Sequence, residues 1–193
     1  LERLCDPANE VSAHYLINQN GQIFQLISEE KRAWHAGVSS WRGNSNINDR
    51  SIGIELENPG HEFDYHKFPK LQIDSLIKLT KNLIIHHPIP ARNIVGHSDI
   101  APTRKKDPGE FFDWHKLALR GVGYWPEVLK SDDITQINAL NFEMALKIYG
   151  YDTTDLLATI LAFQRHFLPK HCNDQPDLKM FRMLEILINN LEV

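Results

Sequence analysis

Cysteine is nearly absent: Cys5 and Cys172 are the only two in 193 residues, far apart in the chain. A single bridge between them is possible but nothing requires it, and neither belongs to a Cys-x-x-Cys pair, so cysteine gives no disulfide framework and does not fix the compartment. No apolar run approaches the roughly 20 residues of a membrane-spanning helix. Excess basic charge is missing as well. The net charge of −4 argues against a nucleic-acid partner, because phosphate binding needs a concentrated basic surface. Neither an internal repeat nor a low-complexity tract is visible. The remainder is ordinary: 42% hydrophobic and 24% charged residues suit a soluble globular chain that can bury a core in one domain or two.

The most informative stretch runs from Val95 to Phe112, VGHSDIAPTRKKDPGEFF. It sets His97 and Asp107 around a proline-bearing loop, with Lys105 two residues before the aspartate. Imidazole nitrogen and carboxylate oxygen are both good zinc donors, and a His/Asp set with an open position suits a hydrolytic metal site. An ammonium group beside such a site can hold negative charge that develops there. Upstream, SIGIELEN carries Glu55 on an expected strand, a candidate general base. A carboxylate, a partial metal set and a nearby cation are the parts of a metal-assisted amide hydrolase. Each residue also has a plain alternative. His97 alone reads as a hydrogen-bonded structural histidine, Asp107 before Pro108-Gly109 as a turn residue, and the pair Lys105 and Lys106 as solvated charge. Glu57 shares the face of Glu55 and competes with it for the base role.

HYLINQNGQIFQLI, AWHAG, NDRSIGIELEN and GHSDIAPTRKKDPG resemble, in order and at compatible spacing, the zinc-dependent N-acetylmuramoyl-L-alanine amidases of the AmiD/AmpD-like (type 2) kind. The resemblance runs from about Val11 to Trp125. It implies cleavage of the amide between N-acetylmuramic acid, or its 1,6-anhydro form, and the L-alanine of the peptide stem. It also implies Zn2+ held by His97 and Asp107, Glu55 as acid/base, and Lys105 as transition-state stabiliser. On the substrate side the expected residues are Trp34, His35, Ala36, Arg42 and Asn58; by charge alone, Arg50 and Arg104 are further local cations that could meet an acidic stem. His14 is expected to be structural. In this family another zinc-ligating histidine stands on a strand before HYLI, so a third ligand is expected upstream of Leu1, on a longer chain or on a docked N-terminal fragment. The expected setting is the bacterial cell envelope or periplasm, with cytoplasmic recycling as the alternative.

The sequence pattern predicts an α/β fold, a mixed central sheet with flanking helices, followed by a small three-helix domain. Residues 11–17 and 22–27 are β-prone around Asn20-Gly21, a hairpin signal. Residues 31–50 show no period and read as a long functional loop. Residues 51–57 alternate, with Ile52, Ile54 and Leu56 on a buried face and Glu55 and Glu57 on an acidic one. Residues 70–86 carry Ile73, Leu76, Ile77, Thr80, Leu83 and Ile84 at helical spacing, and Pro88 and Pro90 end the helix. Strand character follows at 93–97. The catalytic domain is expected over 1–130 and a linker at Lys130 to Asp133. The helical domain is expected over 133–193, with helices near 134–149, 154–168 and 177–191. AFQRHFLP, Ala162 to Pro169, resembles a helical peptidoglycan-binding domain, whose alternative is a helical cap with no ligand. Two other readings compete for the whole chain: a peptidoglycan-recognition protein that binds without cutting, and a zinc peptidase acting within the stem.

Overall fold

The computed structural model describes residues 11–126 and 137–191. The linker expected at Lys130 to Asp133, the first residues of the helix expected from 134, and Cys5 lie outside the described residues. Five short strands are present among the described residues: β1 (Tyr15–Ile17), β2 (Ile23–Gln25), β3 (Ser40–Trp41), β4 (Asn44–Ser45) and β5 (Ile54–Leu56). The helices are α1 (Lys70–His86), α2 (His97–Ile100), α3 (Trp114–Ala118), α4 (Phe142–Tyr149), α5 (Leu156–Phe167) and α6 (Leu178–Asn189). This is the α/β class expected, a small mixed sheet with helices. The described residues group into two compact units, one of residues 11–39 and 44–88, the other of residues 40–43, 89–126 and 137–191.

In the first unit the sheet order is β2-β1-β5. β1 runs antiparallel to β2, with Tyr15 opposite Gln25, and parallel to β5, with Leu16 opposite Glu55. The hairpin forms where Asn20-Gly21 signals it. The Asn18 side-chain oxygen accepts the N–H groups of Asn20 and Gln22, and Gly21 takes φ +81°. α1 covers the span its periodicity predicts and buries Ile73, Leu76, Ile77, Thr80 and Leu83. Its Gln72 side chain donates to the carbonyls of Ile17 and Glu57 at 2.9 and 3.0 Å, pinning the helix to the ends of β1 and β5. Tyr15 donates its hydroxyl to Glu29, whose other oxygen lies 2.7 Å from His87 Nε2. The residues 51–57 differ from expectation: the strand is confined to β5, and Ile54, Glu55 and Leu56 are all half-buried rather than split between two faces. The 31–50 stretch is also more ordered than its lack of period suggests, since it holds β3, β4 and a 3-10 turn at Ile47–Asp49.

In the second unit α5 and α6 fall close to the spans expected, while α4 is shorter than expected: the described residues 137–141 form a turn and the helix starts only at Phe142. Asp155 and Asp177 cap α5 and α6 by accepting the N–H groups of Ala158 and Met180, satisfying donors that a helix start leaves open. Leu146, Phe163, Phe167, Leu184 and Leu187 fill the core, and Trp41 meets the rings of Tyr149 and Tyr151 edge-on. No strand forms at 93–97. Residues Ala91–Asn93 make a 3-10 turn and His97 begins α2. The physical reason is Asp99, whose carboxylate accepts the Gly96 N–H at 2.7 Å and turns the chain into a helix.

Two outcomes follow from the first unit. A Cβ added at Gly21 would meet the Leu71 carbonyl oxygen at 2.6 Å on a backbone with φ +81°. Gly21→Ala is therefore expected to cost about 2 kcal/mol or more, read as a lower urea midpoint at unchanged slope. The hydrogen bond from Tyr15, then that from His87, hold the Glu29 carboxyl below its ordinary value, while burial first and Glu29 second push Tyr15 up to about 12. A depressed carboxyl contributes stability above its unfolded value, and that share is lost as pH falls through the folded value. Glu29→Gln is expected to lower the urea midpoint most at pH 6–7 and least below about pH 4. A gap independent of pH would contradict the assignment.

Candidate functional site

The candidates on the first unit are arranged around His14. Its ring is 1% exposed, and both nitrogens are engaged: Nδ1 accepts the Gly53 N–H at 3.0 Å and Nε2 donates to the Lys31 carbonyl at 2.9 Å. That fixes a neutral tautomer and ties the hairpin strand to β5 and the 31–33 turn. His14 is structural, with no nitrogen left for a metal. His35 packs edge-on against it, 5.6 Å between ring centroids, and Gly53 makes room, since a Cβ there would strike the His35 ring at 2.3 Å. The buried Asn48 side chain accepts the N–H groups of both His35 and Ala36, at 3.0 and 2.8 Å, which sets the AWHAG loop in one conformation. Trp34 is 51% exposed. The Arg32 guanidinium lies over its ring at 4.0 Å and is itself paired to Asp49 at 2.9 Å.

Glu55 sits half-buried in the middle of β5. Glu57 is exposed and its carboxylate accepts the Gln19 N–H at 3.0 Å, so the competing acidic residue is tied to the hairpin turn. Asn58 uses its amide to hold its own loop, donating to the His66 carbonyl at 2.9 Å and accepting from Gly60 N–H at 3.0 Å.

The second unit carries the remaining candidates. His97 Nδ1 and Asp107 Oδ2 are 3.2 Å apart. The Ser98 N–H donates to the Asp107 carbonyl at 2.8 Å, closing the loop between them, and Lys105 N–H reaches back to Ala101 at 3.0 Å. Crowding by protein atoms raises the Asp107 carboxyl, but the hydrogen bond and charge of His97 with the charge of Lys105 outweigh it, and the net effect is downward. Lys105 is half-buried and Lys106 exposed. Arg42 lies on the turn between β3 and β4 with φ 50°. It donates its backbone N–H to Gly150 at 2.8 Å and its guanidinium to Asn93 at 3.3 Å.

Two donor atoms on one tetrahedral zinc, each about 2.0–2.2 Å from the ion, lie about 3.3–3.5 Å apart. The His97–Asp107 separation of 3.2 Å lies just short of that span, so a small outward turn of either side chain would suit two ligand positions, and the lowered Asp107 carboxyl favours the ionised ligand form. Among the described residues no group of three His, Cys, Asp or Glu side chains could hold a metal, and the third ligand expected upstream of Leu1 lies outside them. The candidates divide between the units: Glu55, Trp34, His35, Ala36 and Asn58 on the first, His97, Lys105, Asp107 and Arg42 on the second. Sequence reasoning missed two supports. One is Asn48. The other is Asp99, whose position three residues after Gly96, the spacing of a capping acid at a helix start, is a signal that could have found it.

A His–Asp pair with a lysine beside it on a mixed α/β fold suits a hydrolase, and comparison with known proteins makes the class specific. The family profile described as N-acetylmuramoyl-L-alanine amidase matches residues 1–110. The chain is 37% identical over 204 residues to the N-acetylmuramoyl-L-alanine amidase AmiD of Escherichia coli, covering 93% of this chain and 74% of that protein. The structure of AmiD with anhydro-N-acetylmuramic acid-L-Ala-D-gamma-Glu-L-Lys superposes with a TM-score of 0.87, over 97% of this chain and 82% of that one. AmpDh3 of Pseudomonas aeruginosa, 32% identical, superposes at 0.88 over all of this chain and 86% of its own. The 1,6-anhydro-N-acetylmuramyl-L-alanine amidase AmpD of E. coli is 49% identical over 109 residues, 56% of this chain and 57% of its own length. The chain belongs to the N-acetylmuramoyl-L-alanine amidase family.

Engagement of both His14 nitrogens gives a test. His14→Phe removes the partners of the Gly53 N–H and the Lys31 carbonyl, and is expected to cost about 2–5 kcal/mol with zinc affinity changed little. A full loss of zinc binding in a variant that still folds by circular dichroism would make His14 a ligand.

Proposed function

We propose that this protein is a peptidoglycan hydrolase that cuts the amide between N-acetylmuramic acid, or its 1,6-anhydro form, and the L-alanine of the stem peptide. The observation that carries the reading is the His97–Asp107 pair at 3.2 Å, in a chain of this family. AmiD and AmpDh3, each solved with an anhydromuramyl peptide, support the substrate class. His97 and Asp107 would hold Zn2+ as two of its protein ligands. Bound there, zinc supplies Lewis acidity toward a carbonyl oxygen and a water acidified toward a pKa of about 7.

The chain's own groups do the rest. Glu55 takes the proton of the attacking water as the new C–O bond forms, and delivers it to the L-alanine nitrogen as the C–N bond breaks. Lys105 holds an ammonium group for the oxyanion, a charge present only near the transition state, so its effect falls on turnover rather than on substrate affinity. Trp34, His35, Ala36, Arg42 and Asn58 are proposed to hold the muramoyl group and the acidic stem. The exposed Trp34 ring supports this, while the Asn58 amide contributes through the loop it fixes. The C-terminal helices are proposed to help bind wall polymer. No described helix is long and apolar enough to cross a membrane, and the bacterial envelope is the proposed place of action.

Incubation with muramyl peptides tests the reading. Release of stem peptide with a free L-alanine amine is expected, and a chelator should abolish it. Glu55→Gln should keep metal and substrate binding while losing about 10²–10⁴ of turnover. A cut between two stem residues would favour the peptidase, and binding without any cut the recognition protein.

A further inference from the structure

The polar cluster that the mechanism above does not use is centred on Asp99, two residues beyond His97 on α2. The side chain is 1% exposed. Its Oδ2 accepts the Gly96 N–H at 2.7 Å and lies 2.8 Å from His166 Nδ1. Its Oδ1 accepts the Tyr151 hydroxyl at 2.7 Å. His166 belongs to α5 and Tyr151 to the turn after α4, so the C-terminal helical segment supplies two of the three donors. All of these residues lie in one compact unit.

The donors are themselves held. The His166 ring lies parallel to Trp114 and to Phe167, each 4.1 Å away between centroids, at 10° and 16°. Tyr151 is enclosed by Trp41 and Phe163. The third donor, Gly96, is the residue immediately before His97, and a Cβ there would come 2.6 Å from Pro108 Cδ. The backbone around His97 is thus fixed on both sides, by Gly96 N–H on Asp99 and by Ser98 N–H on the Asp107 carbonyl.

The AFQRHFLP segment shows the same use of side chains. Phe163, Gln164, His166 and Phe167 are all buried. Gln164 bonds Asn173 and the Gln175 carbonyl, and accepts from the N–H groups of Asn173 and Asp174. The functional groups of this segment face into the fold, and one of them ends on the carboxylate that orients the His97 backbone.

We propose that His166 and Tyr151 are positioning residues for the amidase reaction, acting through Asp99 on the backbone at Gly96 and His97 and so on the His97–Asp107 separation. The proposal rests on reading His97 and Asp107 as the metal pair. A buried carboxylate that loses a donor must turn or admit water to satisfy the exposed lone pair. Either response releases the Gly96 N–H and loosens His97, and a supporting shell of this kind typically governs metal affinity or activity by about 10–100-fold.

The test uses the full chain with three substitutions. Tyr151→Phe and His166→Phe keep the ring and remove the donor. His166→Asn returns an amide N–H near the place of Nδ1. Three quantities are read in each: hydrogen exchange at the Gly96 and Ser98 amides without metal, zinc affinity by calorimetry, and kcat and KM on a muramyl peptide. Both phenylalanine variants should speed Gly96 exchange by about tenfold relative to amides in α1. Zinc affinity should weaken by about tenfold, with the kinetic loss in kcat rather than KM, and His166→Asn should recover most of each. Uniformly faster exchange throughout the unit with unchanged zinc affinity would reduce His166 to a core residue and overturn the proposal. So would a His166→Asn no better than His166→Phe. With the expected third zinc ligand supplied, failure of the unsubstituted protein to cut substrate would count against the amidase reading, and Gly96 exchange would still report whether the histidine and tyrosine hold the loop.

Discussion

A carboxylate at 1% exposure has to be surrounded by donors, because an ion stripped of water costs several kcal/mol unless hydrogen bonds replace the water. Asp99 meets that demand with a glycine amide, a phenol and an imidazole drawn from three places in the sequence. Satisfying it determines much else in the second unit. Tyr151 is kept protonated, since burial first and the charge of Asp99 next push its phenol well above the ordinary value. The helical segment must lie against α2 so that His166 can reach. The chain must turn at Gly96 and leave His97 at the head of a short helix. An imidazole so placed is presented to Asp107 by backbone hydrogen bonds, without dependence on its own rotamer alone.

In the first unit the corresponding role falls to His14. It is a neutral ring with one nitrogen accepting and one donating, and it joins β1's approach, Gly53 before β5 and the Lys31 turn. The consequence for function is direct, because Gly53 leads into the strand that bears Glu55, and His35 rests on both His14 and Gly53. A buried histidine fully used as a linker and a histidine used as a ligand look alike in a sequence. Only the count of engaged nitrogens separates them.

That difference marks what could be read from the chain. The hairpin at Asn20-Gly21 and helix α1 were legible because their determinants are local, a turn dipeptide and a 3.6-residue period. α5 and α6 were legible for the same reason, with Asp155 and Asp177 at their starts. The strand expected at 93–97 failed because Ile94 and Val95 carry β propensity while the deciding interaction is the local bond from Gly96 N–H to Asp99, a spacing that could have been read; the donors that hold Asp99 in place, 52 and 67 residues away, could not. Residues 31–50 looked structureless for a similar reason: Asn48 orders the AWHAG loop from 12 and 13 residues away, and no periodicity records a single side chain acting as a double acceptor. The motif singled out His97, Lys105 and Asp107, and the 3.2 Å approach of His97 to Asp107 is what the structure adds.

The helical segment shows how a motif can report packing where it suggests binding. AFQRHFLP resembles a wall-binding module, yet its phenylalanines are core, its glutamine closes the 173–175 turn and its histidine ends on Asp99. A resemblance carried by inward-facing residues is evidence that two segments fold alike, and it is silent on what their outer faces meet. Any contact with polymer has to come from side chains that remain accessible, such as Met144 and Ile148 on α4, Leu157 on α5 and Leu178 on α6. Substitutions at those exposed positions would leave the donors of Asp99 in place, whereas substitutions at His166 or Tyr151 would remove them. The outer faces of the segment can therefore change while the support it gives to the His97 loop stays fixed, which is a physical reason for the helical segment and that loop to share one folded unit.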